Sequence, residues 1–274
     1  MANRKTENDW TPEIVGRLWA WYGTNPYLEN TYFSSMVGKG IINFLKETGK
    51  LKGSVLDYGC GRGHLLKHLL ALDLDCYAAD FSEESIEMLN EKFRGYQNWK
   101  QGTVISNLAI FYPDNFFDVI CCTEVLEHLP TVSLHAAFTE LKRVLKPEGI
   151  VIITTPFTEN LEQSMGYCPF CQSEFHKMQH FRSFTIGDME SLLRDEGFKV
   201  VFCKNIDFEI FQMSFELPSF LYLNFEKIFA WIKIRKIRLM DKLFPLEFPQ
   251  IREVEYKLNM GFGRHLCALA TKER

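Results

Sequence analysis

Short apolar runs separated by amphipathic stretches dominate residues 50–204. The runs at 53–58, 75–80, 99–105, 116–122, 150–154 and 198–204 have the length of strands. Between them, apolar positions recur at helical spacing. Ile86, Leu89 and Phe93 share a face after Ser82-x-x-Ser85, as do Ala137, Leu141 and Val144 ahead of Lys146-Pro147-Glu148-Gly149. A helix over about 63–72 follows the first run. Another, over 186–196, opens at a capping box, Thr185-x-x-Asp188, and stops at Gly197. The run Phe116–Cys122 is nearly all apolar, as expected of a strand buried on both faces of a parallel sheet. Alternating strands and helices of these lengths predict an α/β chain with a doubly wound sheet. Upstream, Met36, Val37, Ile41, Ile42 and Leu45 predict a helix over 35–48, stopped by Gly49. The aromatic stretch Trp10–Phe33 reads as a helical cap on the core, with the alternative of a lid that brings Tyr27, Tyr32 or Phe33 to a ligand. Residues 1–9 are polar and expected to fray.

Composition narrows the class. A chain of 274 residues with 46% hydrophobic content can build one large domain with additions. A net charge of −4 argues against broad electrostatic attachment to nucleic acid. Eight dispersed cysteines and no recognisable leader suggest a reduced, cytoplasmic chain. No uncharged apolar run is long enough to cross a bilayer.

The chemistry begins at Val55-Leu56-Asp57-Tyr58-Gly59-Cys60-Gly61-Arg62-Gly63-His64. This is a strand, a glycine turn and the start of a helix, whose free N–H groups welcome an anionic group. Asp57 closes the strand before the first glycine. Asp80 closes the next apolar run, where a ribose diol is gripped in a βαβ unit. No Gly-Lys-Ser/Thr follows the turn, and Asp57 would repel a pyrophosphate.

Asp57-x-Gly59-x-Gly61-x-Gly63 followed by Asp80 resembles the class I S-adenosylmethionine-dependent methyltransferases. The resemblance implies a Rossmann-like, seven-stranded, mostly parallel sheet with 265–271 as its antiparallel last strand. It implies a core over 51–204 and 263–274, a cap over 1–50, an irregular insert over 156–184 and a helical substrate lid over 205–262. It also implies S-adenosylmethionine as cofactor. Asp57, Tyr58, Gly59, Cys60, Gly61 and Gly63 would take its methionine end, Asp80 its ribose, and Gly102 and Thr103 would lie near its adenine, with Phe81 and Thr123 also among the cofactor-binding residues.

Glu124, Glu127 and His128, at i, i+3 and i+4, would share one face of a helical turn at the end of a parallel strand. Two carboxylates and an imidazole so placed suit a divalent ion such as magnesium, manganese or zinc. The alternative is a solvated helix start in which His128 acts as general base. Glu-x-x-Glu-His also resembles the small-RNA 3′-end 2′-O-methyltransferases and the ubiquinone-biosynthesis O-methyltransferases. There a later histidine, here His180, completes the metal site. Cys168-Pro169-Phe170-Cys171, followed by His176 and His180, is a competing constellation with zinc-knuckle spacing. It is similar to an insert of some bacterial methyltransferases. With His180 given to the glutamates, Cys168, Cys171 and His176 remain as a structural zinc set.

Lys227–Lys242 carries six cationic side chains against one acid, Asp241, interleaved with apolar residues. It reads first as a helix covering the sheet or cleft, with an anionic membrane surface as the alternative. The expected function is transfer of a methyl group from S-adenosylmethionine to a small-molecule hydroxyl, a sugar or a phenol, with metal assistance. The rival readings are an RNA 3′-end methyltransferase and a non-enzymatic cofactor-binding regulator.

Overall fold

The computed structural model describes residues 3–106, 109–212 and 264–273. The strands are β1 (Asn3–Arg4), β2 (Ser54–Tyr58), β3 (Asp75–Asp80), β4 (Trp99–Val104), β5 (Phe117–Thr123), β6 (Leu145–Pro156), β7 (Met165–Cys168), β8 (Ser173–His176), β9 (Phe198–Ile206) and β10 (His265–Lys272). The helices are α1 (Pro12–Thr24), α2 (Phe33–Glu47), α3 (His64–Leu69), α4 (Glu83–Phe93), α5 (Thr131–Val144), α6 (Ile186–Asp195) and α7 (Glu209–Gln212).

Seven strands form one sheet in the order β4-β3-β2-β5-β6-β10-β9. The first five are parallel, and β10 runs antiparallel to both its neighbours. This is the Rossmann-like, doubly wound sheet expected from the strand–helix alternation. The period of two along the strands divides the core between the two faces. Val55, Cys76, Ala78, Val119 and Cys121 face α2, α3 and α4, whereas Leu56, Ala79, Ile120 and Cys122 face α5 and α6. Parallel strands covered on both sides must be apolar throughout, which explains the unbroken run at β5.

Three local differences from the sequence reading have physical causes. The chain passes from α5 directly into β6 at Leu145, because Phe117 pairs with Leu145 ahead of the regular register. The insert is not irregular throughout: β7 and β8 form an antiparallel hairpin. Residues 3–4 do not fray, because Asn3 and Arg4 pair in parallel with Ser173 and Glu174 and add a third strand to that hairpin. Each depends on pairing between distant segments, which local pattern does not encode.

Of the amino-terminal helices, α2 packs on a face of the sheet. Thr11 caps α1 by accepting from the Ile14 N–H, and Pro12 sits at its first position. Gly40 of α2 lies where a Cβ would run into the carbonyl oxygen of Phe208, at the approach to α7. Gly40→Ala gains about 1 kcal/mol of helix propensity but overpacks against backbone that cannot rotate away. The expected net loss is about 2 kcal/mol, read from the denaturant midpoint. A variant as stable as its parent would contradict this packing.

All eight cysteines are free. Among the described residues no helix is long and apolar enough to cross a membrane. The basic stretch Lys227–Lys242 and most of the expected lid over 205–262 lie outside the described residues.

Candidate active site

A cavity of about 700 Å³ opens at the carboxyl ends of β2, β3 and β5, under α1 and the segment that leads into α2. Open α/β sheets bind ligands at this edge, and the size suits a nucleoside-sized molecule with an acceptor beside it.

The first wall is the glycine turn. Gly59, Gly61 and Gly63 all have positive φ, 73°, 47° and 73°. A Cβ at Gly59 would strike Val125, and one at Gly63 would come within 2.5 Å of Leu89. At Gly61 the space is open, with Tyr32 no nearer than 3.8 Å. Gly61 therefore exposes backbone to the cavity. Asp80 shapes the turn, accepting from the Gly61 N–H at 2.8 Å and from the Ser82 N–H at 3.0 Å. Asp57 is 2% exposed, and its Oδ2 has no hydrogen-bond partner. Burial, and then the nearby Asp80, push its carboxyl up to about 8. An orphaned acceptor beside open glycine backbone fits a ligand bearing an ammonium group.

Several expected contacts take a different form. Tyr58 and Cys60 line the cavity by position, but their side chains are buried in the core and only backbone is left for a ligand. Phe81 and Thr123 border the cavity, whereas Gly102 and Thr103 do not. The register explains this: Gly102 is level with Ala78, two residues short of Asp80 at the strand end. Gly102 is also tied through its N–H to Asn90 at 2.8 Å. Ile105, one residue beyond β4, takes the place expected of them. Tyr32 and Phe33 border the cavity, but Tyr27 is 92% exposed and plays no part.

The second wall holds Glu127, His128 and His180. Their ligand atoms lie within 4.8 Å of one another. Glu127 is 1% exposed, and neither carboxylate oxygen has a hydrogen-bond partner. Burial and then the charge of Glu124 push its carboxyl well above the usual range. Burial, helped by His180, pushes His128 down to about 3, so its imidazole stays neutral at physiological pH. Its Nδ1 is also without a partner. A neutral, half-buried imidazole, an orphaned buried carboxylate and a second imidazole form a donor set that a divalent ion would satisfy.

Glu124 does not join this set. The residue adopts φ 54° and is not helical; only Leu126–His128 form a 3₁₀ turn. The expected shared helical face is therefore broken. Glu124 Oε1 accepts from the Thr154 hydroxyl at 2.9 Å and lies 3.4 Å from Nδ1 of His265.

The zinc set Cys168–Cys171–His176 is not assembled either. The hairpin register places Cys168 opposite Ser173 and Met165 opposite His176, so the thiols and the imidazole sit at opposite ends. Three strand steps are about 10 Å. Hydrogen bonds from Ser173 and Cys168 bring the Cys171 thiol down to about 7. His176 instead faces Glu159, with Nε2 3.5 Å from Oε1. Glu159, His176 and His180 form a second group with ligand atoms within 4.8 Å.

Sequence reasoning missed Glu159, His265, Trp19 and Gln179. The Trp19 indole N–H donates to Gln179 Oε1 at 2.8 Å, and the Gln179 amide donates to the His128 carbonyl at 3.2 Å. The Phe181 N–H donates to the Glu127 carbonyl at 2.9 Å. Arg182 donates to the Leu129 carbonyl at 2.8 Å and reaches Glu7 at 3.2 Å. These bonds tie the insert and the amino-terminal segment to the stretch that carries Glu127 and His128. Only the clustering of His176 and His180 hinted at this part of the site.

Comparisons with known proteins bear on the same region. A family model described as a methyltransferase domain matches residues 35–202. An uncharacterized protein of Methanocaldococcus jannaschii is 29% identical over 58% of this chain and 62% of its own length. A ubiquinone biosynthesis O-methyltransferase of Rickettsia akari is 31% identical over 38% of this chain and 40% of its own. The chain thus spans less than two thirds of the length of these curated relatives. The 1,6-didemethyltoxoflavin-N1-methyltransferase of Burkholderia thailandensis, solved with 1,6-didemethyltoxoflavin and S-adenosylhomocysteine, superposes with a TM-score of 0.59 over 97% of this chain and 92% of its own, at 14% identity. With the family model spanning the glycine turn, Glu127, His128 and His180, five of the seven strands and the first part of β9, the chain belongs to the methyltransferase domain family.

Proposed function

We propose that this protein transfers a methyl group from S-adenosylmethionine to a hydroxyl of a small molecule, a sugar or a phenol, with a divalent ion assisting. The observation that carries the reading is that one cavity joins two incomplete walls. One has the orphaned Asp57 carboxyl beside open Gly61 backbone; the other has the orphaned Glu127 carboxyl beside His128 and His180.

The Gly59–Gly63 turn would take the cofactor's amino-acid end, with Asp57 for its ammonium. Asp80, whose oxygens keep lone pairs beyond the two backbone N–H groups they accept, would take the ribose. Phe81 and Ile105 would border the base. When bound, the cofactor supplies a methyl group on a sulfonium, open to in-line displacement. The protein's contribution is mainly to hold the acceptor oxygen in line and to exclude water.

Glu127, His128 and His180 would hold the ion, and Glu124 stays beside them on Thr154 and His265. An ion held there would supply Lewis acidity that lowers the pKa of an acceptor hydroxyl. The low basicity of His128 suits a ligand better than a general base.

Calorimetric titration with S-adenosylmethionine, elemental analysis after manganese or zinc loading, and single-turnover transfer from labelled cofactor to hydroxylated acceptors test the reading. One cofactor and one ion per chain, with label on oxygen, are expected. Absence of cofactor binding overturns the methyltransferase reading; label on nitrogen or carbon overturns the acceptor class; metal-independent transfer overturns the ion.

A further inference from the structure

His180 is the residue on which the two candidate ligand groups meet. Each neighbour of its ring restricts where its proton sits. The His180 backbone N–H donates to Nδ1 of His176 at 3.0 Å. That nitrogen must offer a lone pair, so the neutral His176 ring carries its proton on Nε2. His176 Nε2 lies 3.5 Å from Glu159 Oε1. The other oxygen, Oε2, is 2.5 Å from Nδ1 of His180. An ionised carboxylate only accepts, so Nδ1 of His180 carries a proton. The lone pair of a neutral His180 then lies on Nε2. The ring packs against His128 at a centroid distance of 4.6 Å and stacks on His176 at 4.7 Å, with 23° between the latter planes.

We infer that Glu159 and His176 are positioning residues that fix the tautomer and ring orientation of His180, so that Nε2 is the nitrogen offered to the ion. The second histidine–carboxylate group is then the outer support of the first and not a second metal site. His176 is ill suited to bind an ion through Nε2, because with Nδ1 already accepting a backbone N–H it would have to become an imidazolate. A ligating histidine that donates its other N–H to a carboxylate is a recurrent way of orienting the ring and raising its basicity. Here the carboxylate comes from the loop after β6 and is itself steadied by His176 at the end of β8. The arrangement joins two parts of the insert that sequence spacing does not relate.

The inference rests on the proposal that Glu127, His128 and His180 hold a divalent ion, and its test separates the two. Long-range ¹⁵N–¹H correlation spectra of histidine-labelled, metal-free protein at pH 8 are expected to show His180 as the Nδ1–H tautomer and His176 as the Nε2–H tautomer. In Glu159→Gln the amide can donate to or accept from Nδ1, so the His180 preference is expected to collapse to a mixture. Manganese and zinc affinity of that variant should fall about 10- to 100-fold, with thermal midpoint and S-adenosylhomocysteine affinity kept. Glu159→Asp is expected to recover part of the ion affinity. An Nε2–H tautomer of His180 in the parent protein overturns the inference, as does undiminished ion affinity in Glu159→Gln. If the parent holds neither ion, the metal reading fails, and the tautomer spectra still decide the roles of Glu159 and His176.

Discussion

Asp57→Asn is expected to weaken S-adenosylmethionine and S-adenosylhomocysteine binding about 10- to 100-fold while leaving the free protein at least as stable as its parent. The affinity loss follows from removing a charge-assisted hydrogen bond, worth about 1.5–3 kcal/mol, at roughly 1.4 kcal/mol per tenfold. The stability gain follows from the sign of the shift. The native carboxyl is held up at about 8, chiefly by burial, far above the ordinary aspartate value that the unfolded chain shows. Between about pH 4 and pH 8 the native state therefore binds a proton that the unfolded state has lost. Stability falls with rising pH across that window, by about 1.4 kcal/mol per unit at the steepest. An amide has no such proton to hold. Thermal melts of parent and variant should accordingly diverge toward pH 8 and converge toward pH 4. A variant that binds cofactor like the parent, or melts well below it at pH 8, would sink this account.

Glu127→Gln has the same logic on the second wall and a larger expected effect on turnover. The carboxyl is buried, lacks any hydrogen-bond partner and is pushed up by desolvation and by Glu124. Folding it without an ion is unfavourable, so the amide should not lower the stability of the metal-free protein. The ion would lose its only carboxylate ligand, and single-turnover transfer should drop about 10²- to 10³-fold, the scale of a lost metal or acid–base contribution. Cofactor affinity should change less than about threefold, because Glu127 borders the cavity from the turn after β5 and is not part of the glycine turn. Retention of both ion content and transfer rate would remove Glu127 from the site. Both carboxylates thus exemplify groups that cost stability in the free protein and are satisfied when a ligand arrives.

What could be read before the fold was known follows one rule. Features written within a dozen residues of one another were legible: the glycine turn between β2 and α3, the capping box at Thr185, and the buried apolar run of β5. Asp80 was legible too, because the length of a βαβ unit is nearly constant. Features made by distant pairing were not. Glu159 reaches His180 only because the β7–β8 hairpin folds the insert back, and Asn3 meets Ser173 across most of the chain. Gly102 and Thr103 were placed by distance along β4, but the register with β3 leaves them below the rim. Glu124 failed for a local reason. A non-glycine residue at φ 54° breaks the helical spacing that i, i+3 and i+4 presume. The Cys-x-x-Cys spacing proposed a metal, but spacing alone is blind to which end of a hairpin each ligand occupies.

The bonds that run from Trp19 through Gln179 to the His128 carbonyl, with Glu7 held by Arg182 and β1 by β8, have a kinetic consequence. The insert and the amino-terminal segment are thereby joined over this side of the cavity, so separating them breaks several hydrogen bonds at once. On the proposed methyltransferase reading, changes at Trp19 or Gln179 are expected to alter the rate of ligand exchange more than the transfer step, because neither residue belongs to the cofactor or ion sets.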